Sequence, residues 1–348
     1  MILNYIPQSI ILGLRFSGVV MDQVLSGEGI PSPVKEQFIE LATSYLTAIE
    51  GSAASAAVLD SAKERVKLLH SETRRQALSP YQFAPYHERV LTPTNFYQIG
   101  VEFVRPLTDL ANSKVLGIES LRKMRAEIKK GENVILLGNH QSEFDPQVLS
   151  LLLEREGFAD LGEMSIFVAG HRVVTDPVAI PFSLGRNLLC IHSKRRIDDE
   201  PDKKEERLLH NKRTMKLMSE LLAAGGCLIY VAPSGGRDRP NERGEPVLAP
   251  FDPSSLEMFF LMAKQAKTVT HFYPLSLSTY YLLPPPKQVI KGLGESRRVS
   301  YTPLHLCFGD KLDMENYPGS DLEDKKERRK ARCKHIYQIV KMGYGRLV

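Results

Sequence analysis

His140 and Asp145 stand five positions apart, at the two ends of a short polar turn that begins Gly138-Asn-His-Gln-Ser-Glu-Phe144. The pair has the makings of a general base: a carboxylate that accepts from one imidazole nitrogen leaves the other free to take a proton. At this spacing the two cannot share a helix face, so a compact loop has to fold them together. A plainer reading uses the same residues. Asp145 precedes Pro146, and Asp can cap the free N–H groups of a helix whose first position tolerates Pro.

The elements that must position the turn lie on either side of it. Val134 to Leu137 is a short apolar run, the composition of a buried parallel strand. After Pro146 an apolar-rich stretch, ending Ser150-Leu-Leu-Leu-Glu154, reads as a helix. A loop that leaves the carboxyl end of a buried strand is where α/β proteins place their ligands.

Two cationic clusters follow apolar runs in the same way. Lys194, Arg195 and Arg196 come directly after Asn187-Leu-Leu-Cys-Ile191; three consecutive cations are commonly a solvated surface turn, and alternatively a phosphate clamp. The block Tyr230-Val-Ala-Pro-Ser-Gly-Gly-Arg-Asp-Arg-Pro240 reads as a strand and a glycine turn in which backbone N–H groups can approach an anion. Arg237 and Arg239 add charge and forked donors suited to phosphate, although a tight turn with Asp238 paired to a neighbouring Arg fits as well. His271-Phe-Tyr-Pro-Leu-Ser-Leu277 is an apolar strand, and His271 is read as structural.

The chain of 348 residues, 43% hydrophobic and 25% charged, is long enough for an α/β core with a small second domain. Residues 1–78 read as a helical bundle: Val34, Phe38, Leu41, Ala42, Tyr45, Leu46 and Ile49 fall on one face, as do Leu59, Ala62, Val66 and Leu69 in the next segment. Residues 79–93, with Pro80, Pro85 and Pro93, read as a linker. Over 94–348 helices alternate with strands at Val134, Ser165, Asn187, Cys227, Val269 and within Arg298 to Phe308, which argues a mixed, largely parallel sheet flanked by helices. The tail from Asp321 to Lys341 reads as a solvated helix. Lys and Arg exceed Asp and Glu by 46 to 41, a charge of +5. That suits an anionic substrate, an acidic protein partner or a membrane surface, and is too small to argue for nucleic acid. The four cysteines, Cys190, Cys227, Cys307 and Cys333, form no C-x-x-C pair and are expected to be reduced thiols without a zinc site. The chain carries no apolar run of membrane-spanning length and no recognisable signal or transit segment, and is expected to be soluble.

Asn139-His140-Gln-Ser-Glu-Phe-Asp145 resembles the His-x-x-x-x-Asp motif of the glycerolipid acyltransferases. Gln141, Pro146 and Ser150 to Glu154 resemble the soluble glycerol-3-phosphate acyltransferases of plastids and some bacteria. Further blocks follow in that family's order: Val168-Ala-Gly-His-Arg172 with Asp176-Pro177, Pro181 to Asn187, the basic run, and the Ser-Gly-Gly turn. The last of these departs from the Phe-Pro-Glu-Gly-x-x-Arg of membrane-bound relatives, having Ser234-Gly235 where they have Glu-Gly.

The resemblance implies transfer of an acyl group from an acyl carrier protein thioester, or acyl-CoA, to the 1-hydroxyl of glycerol 3-phosphate. It implies His140 as base, Asp145 as its orienting partner, and Arg195, Arg196, Arg237 and Arg239 on the phosphate. Arg196 replaces the family's His, keeping a cation with a different reach. The His271 block would help line the acyl or acceptor pocket. No metal and no cofactor beyond the acyl donor is implied. The partners would be acyl carrier protein and glycerol 3-phosphate, with no nucleic acid and at most peripheral membrane contact. The place would be the cytoplasm, or a plastid stroma if a transit peptide has been removed. The rival readings are a 1-acylglycerol-3-phosphate acyltransferase and a non-catalytic carrier- or lipid-binding module.

Overall fold

The computed structural model describes residues 30–193, 197–198, 200–286 and 295–348. In chain order the strands are β1 (Tyr86–His87), β2 (Lys114–Leu116), β3 (Asn133–Gly138), β4 (Ile166–Gly170), β5 (Asn187–Ile191), β6 (Leu228–Val231), β7 (Arg239–Pro240), β8 (Pro246–Val247), β9 (Thr270–Ser278) and β10 (His305–Phe308). Eight of them form one sheet in the order β1-β5-β4-β6-β3-β9-β10-β2, while β7 and β8 make a separate ribbon. The run β5, β4, β6, β3, β9 is parallel throughout; β1 and β10 join antiparallel, and β2 lies parallel to β10. The sheet is thus mixed and largely parallel, as the alternation of elements indicates.

Strand β3 shows why its residues are all apolar. Val134 and Leu136 enter one hydrophobic cluster and Ile135 and Leu137 the other, one on each face of the sheet. A strand covered on both sides has no solvent face to mark with polar residues. Fully burying each such side chain contributes about 1.5–3 kcal/mol. The first face is covered by helices Phe96–Val104, Ile118–Lys129 and Asp145–Arg155, the second by Lys204–Ala224, Pro253–Gln265 and Lys325–Gly345.

The helices Ser32–Gly51 and Ala56–Leu78 bury the faces read from their periodicity, apart from Leu59, which is only partly covered. They share the first cluster: the Tyr45 ring stacks on Phe103 at 4.1 Å, and the Arg297 and Val299 amides donate to Glu40 and Ser44. Between them and the α/β unit, the proline-rich segment supplies edge strand β1 against β5.

The tail differs from its reading as a solvated helix. Helix Lys325–Gly345 buries Cys333, Ile336, Val340 and Tyr344 against the sheet. Those residues recur at three- and four-residue intervals, a narrow stripe inside a charge-rich sequence that its composition conceals. Among the described residues no helix is long and apolar enough to cross a membrane.

At the end of β3, Gly138 is required by close approach. A Cβ there would lie 2.8 Å from the Leu275 carbonyl oxygen and 2.9 Å from the Tyr230 ring. That carbonyl belongs to the neighbouring strand and cannot yield without disturbing the β3–β9 pairing. Gly138→Ala is therefore expected to destabilise by about 1–3 kcal/mol, the usual cost of overpacking; urea unfolding measures it, and an unchanged midpoint would refute the close-packing argument.

Candidate active site

The turn after β3 does fold His140 onto Asp145: Nδ1 of the imidazole lies 2.8 Å from Asp145 Oδ2. Helix Asp145–Arg155 starts at the aspartate, yet its carboxylate does not cap that helix and turns back on the loop. Oδ2 also accepts the Gln141 amide at 2.9 Å, and Oδ1 accepts the Ser142 amide at 3.1 Å and the Thr279 hydroxyl at 2.6 Å. A carboxylate only accepts, so the imidazole must present Nδ1–H to it, which leaves Nε2 as the basic nitrogen. Asp145 is 2% exposed and the His140 side chain 31%. The pair therefore has a buried anchor and an accessible base.

The loop is braced from strands β6 and β9 and from the segments that follow them. Asn139 donates from Nδ2 to the Leu277 carbonyl and to Asp238 Oδ2, each at 3.0 Å, and accepts the Leu277 amide on Oδ1. Gln141 Oε1 accepts the Thr279 and Tyr280 amides, and the Tyr230 hydroxyl donates to the Asn139 carbonyl. Asp238 is wholly buried. Its amide donates to the His140 carbonyl at 2.6 Å, and its carboxylate takes the Ala249 amide and Asn139 rather than a flanking arginine. Burial pushes that carboxyl up to about 6, against the hydrogen bonds that favour its charged form. The His271 block thus serves the site as a brace. Among the described residues none from His271 to Leu277 lines the cavity beside His140. His271 itself sits at the far end of β9, where Nε2 lies 2.7 Å from Glu132.

The sheet order sets the cations around this pair. Strands β5, β4, β6 and β3 are parallel neighbours, so the segments after their carboxyl ends line one edge. His140 follows β3, Arg237 and Arg239 follow β6, and Arg172 follows β4. Lys194, Arg195 and Arg196 come after β5 in the chain and lie outside the described residues. Arg239, half-buried, donates to the Pro286 carbonyl at 2.6 Å. Arg237 is ion-paired to Glu295 and, at 3.5 Å, to Glu143.

These carboxylates belong to a buried network that motif reading did not find. Arg297 holds Glu143 at 2.8 Å and Asp176 at 3.0 Å, and Arg172 holds Glu295. Burial opposes charge on Glu143, but Arg297 and then Arg237 outweigh it and hold the carboxyl down at about 2. The available signals were slight: Glu143 lies inside the His140 turn, and Arg172 and Asp176 lie in a block noted for resemblance.

His140, Glu143 and Arg297 share a cavity with an apolar wall that includes Phe144, Phe167, Phe182 and Leu188. Arg186 also lines it, fully buried, donating to Ser150 Oγ and lying 4.7 Å from the Tyr97 ring centre. The cavity thus gathers the base, charged side chains and an apolar wall around one space. The four cysteines are free and buried. Burial pushes the Cys190 and Cys333 thiols up to about 12 and Cys227 to about 11, which removes the thiolate that nucleophilic catalysis needs.

Comparison with known proteins sets this geometry in a family. Residues 113–278 match the family model described as Acyltransferase. The chain is 37% identical over 316 residues to the glycerol-3-phosphate acyltransferase, chloroplastic, of Arabidopsis thaliana, covering 90% of this chain and 68% of that one. It is 36% identical over 293 residues to the protein of the same name from Carthamus tinctorius, covering 84% and 63%. For that of Spinacia oleracea the identity is 42% over 223 residues, covering 64% and 47%.

Proposed function

Because the chain belongs to the glycerol-3-phosphate acyltransferase family, we propose that it transfers a fatty acyl group from an acyl carrier protein thioester, or acyl-CoA, to the sn-1 hydroxyl of glycerol 3-phosphate. The product is 1-acyl-sn-glycerol 3-phosphate. The observation that carries the reading is the His140–Asp145 bond beside a cavity with an apolar wall. His140 Nε2 takes the proton of the hydroxyl as its oxygen attacks the thioester carbonyl. Asp145 fixes the tautomer and stabilises the imidazolium, the logic of a Ser-His-Asp triad with the substrate hydroxyl in place of serine. Collapse of the tetrahedral species expels the thiolate, which takes the proton back from the imidazolium.

Arg195, Arg196, Arg237 and Arg239 hold the phosphate and so place the hydroxyl beside the base. The net charge of +5 suits an acidic carrier protein. The setting is the cytoplasm or, in keeping with the name chloroplastic that the relatives carry, a plastid, where the stroma is the proposed compartment.

The deciding experiment is thiol release from palmitoyl-acyl carrier protein with and without glycerol 3-phosphate. Release that depends on the acceptor and yields the 1-acyl product supports the reading. Release without acceptor means a thioesterase, and release from neither carrier nor CoA a binding module.

Arg237→Ala is expected to raise the KM for glycerol 3-phosphate more than it lowers kcat. Because Arg237 also neutralises buried Glu143 and Glu295, the variant should lose stability as well, about 3–5 kcal/mol for breaking a buried pair. An unchanged KM in folded protein would remove Arg237 from the phosphate site.

A further inference from the structure

Glu295 is 2% exposed on its side chain and pairs with two guanidiniums at once, Arg172 through Oε2 and Arg237 through Oε1. The two arginines come from different strands, Arg172 after β4 and Arg237 after β6, which are parallel neighbours whose carboxyl ends share the edge that carries His140. Both arginine side chains keep part of their surface in solvent, 21% and 11%, while the carboxylate between them has almost none. Two forked donors from adjacent strands converging on one pair of oxygens is the arrangement that recognises a tetrahedral phosphate monoester.

The charge balance of the cluster sharpens the point. Among the described ion pairs, Arg172, Arg237 and Arg297 face Glu143, Glu295 and Asp176. A phosphate monoester brings about −1.5 to −2 at neutral pH, and to reach these guanidiniums it has to compete with the carboxylates that already pair with them. Glu143 and Asp176 are both tied to Arg297, and Glu143 is part of the His140 turn itself. Glu295 is the one carboxylate of the three with no contact to Arg297 among the described ion pairs.

We propose that Glu295 occupies, in the substrate-free protein, the place of the acceptor's phosphate between Arg172 and Arg237, and that Arg172 is a phosphate ligand beside Arg237. Binding of the phosphate displaces the Glu295 carboxylate from both guanidiniums. The cation pair is kept paired in the empty site, and an acceptor without a phosphate, such as glycerol, has nothing with which to displace the carboxylate. The inference rests on the acceptor assigned above.

Calorimetric titration of the full chain with glycerol 3-phosphate, with inorganic phosphate and with glycerol tests it without any turnover. Glu295→Gln is expected to tighten both phosphate-bearing probes about tenfold, and Arg172→Gln to weaken both about tenfold, the worth of one charge-assisted contact. Glycerol should bind none of the three proteins measurably. Unchanged or weaker phosphate binding in Glu295→Gln overturns the role of Glu295, and unchanged binding in Arg172→Gln overturns that of Arg172. If the parent protein binds neither phosphate probe, the acceptor assignment itself fails and the inference falls with it. Should Glu295→Gln not fold by circular dichroism, Glu295→Asp, whose carboxylate is one methylene shorter, is expected to tighten the probes in the same direction.

Discussion

Replacing His140 by Ala is expected to lower kcat by about 10²–10⁴, the usual worth of a positioned general base, while glycerol 3-phosphate binds within about twofold of its parent affinity, since the cations proposed to hold the phosphate are untouched. The structure gives reasons for both halves. Nε2 is the only imidazole nitrogen left after Nδ1 is committed to Asp145, and His140 lines the cavity beside the apolar wall. Its backbone carbonyl, which takes the Asp238 amide, is kept in the variant, so the loop keeps that bond. Steady-state kinetics with calorimetry separate the two quantities, and added imidazole should restore part of the turnover through the vacated space. A kcat within tenfold of the parent would end the assignment of His140 as base.

Asp145→Asn should be nearly as damaging for a different reason. Four donors converge on the carboxylate: His140 Nδ1, the Gln141 and Ser142 amides and the Thr279 hydroxyl. An amide offers one accepting oxygen and a pair of donors, so in either orientation at least one loop N–H meets an N–H. That mismatch costs about 1–3 kcal/mol for each buried group left unsatisfied. Turning the amide's NH₂ toward Nδ1 would favour the opposite tautomer, with the proton on Nε2, and an analogous change in a serine protease costs about 10⁴ in kcat. The expected result is therefore a lower melting temperature and a collapse of kcat together. Thr279→Val, which removes one donor and leaves the tautomer alone, should reproduce part of the melting shift with a much smaller loss of rate. If Asp145→Asn melts like the parent and turns over within tenfold of it, the carboxylate does not hold the loop or the base.

Much of this molecule was legible residue by residue because the controlling interactions are local. An apolar run with no polar partner positions is a strand buried on both faces, and Val134 to Leu137 is that. Helix faces such as Val34 to Ile49 follow from 3.6-residue periodicity, which is a property of the backbone and needs no knowledge of the neighbour. The His140–Asp145 pair was visible for the same reason: the two residues share one turn, and the chain between them is too short to hold them far apart.

What the tertiary structure decided are the contacts that depend on strand order. Thr279 completes the Asp145 cluster from 134 positions away, because β9 happens to lie beside β3. The cap that Asp145-Pro146 suggests is not made, since the carboxylate has better donors in the preceding loop and in Thr279. Arg237 has the residue type and the glycine-rich turn of a phosphate ligand, but only the fold shows that Glu295 and Glu143 already hold it, and that Arg172 follows the neighbouring strand β4. The tail helix, charged over most of its surface, buries a stripe against the second face of the sheet because that face still had apolar surface to cover. A sequence states which groups can be charged or apolar; which charges must neutralise one another in a buried network is settled by the order in which the parallel strands line up, and that order is a property of the whole chain.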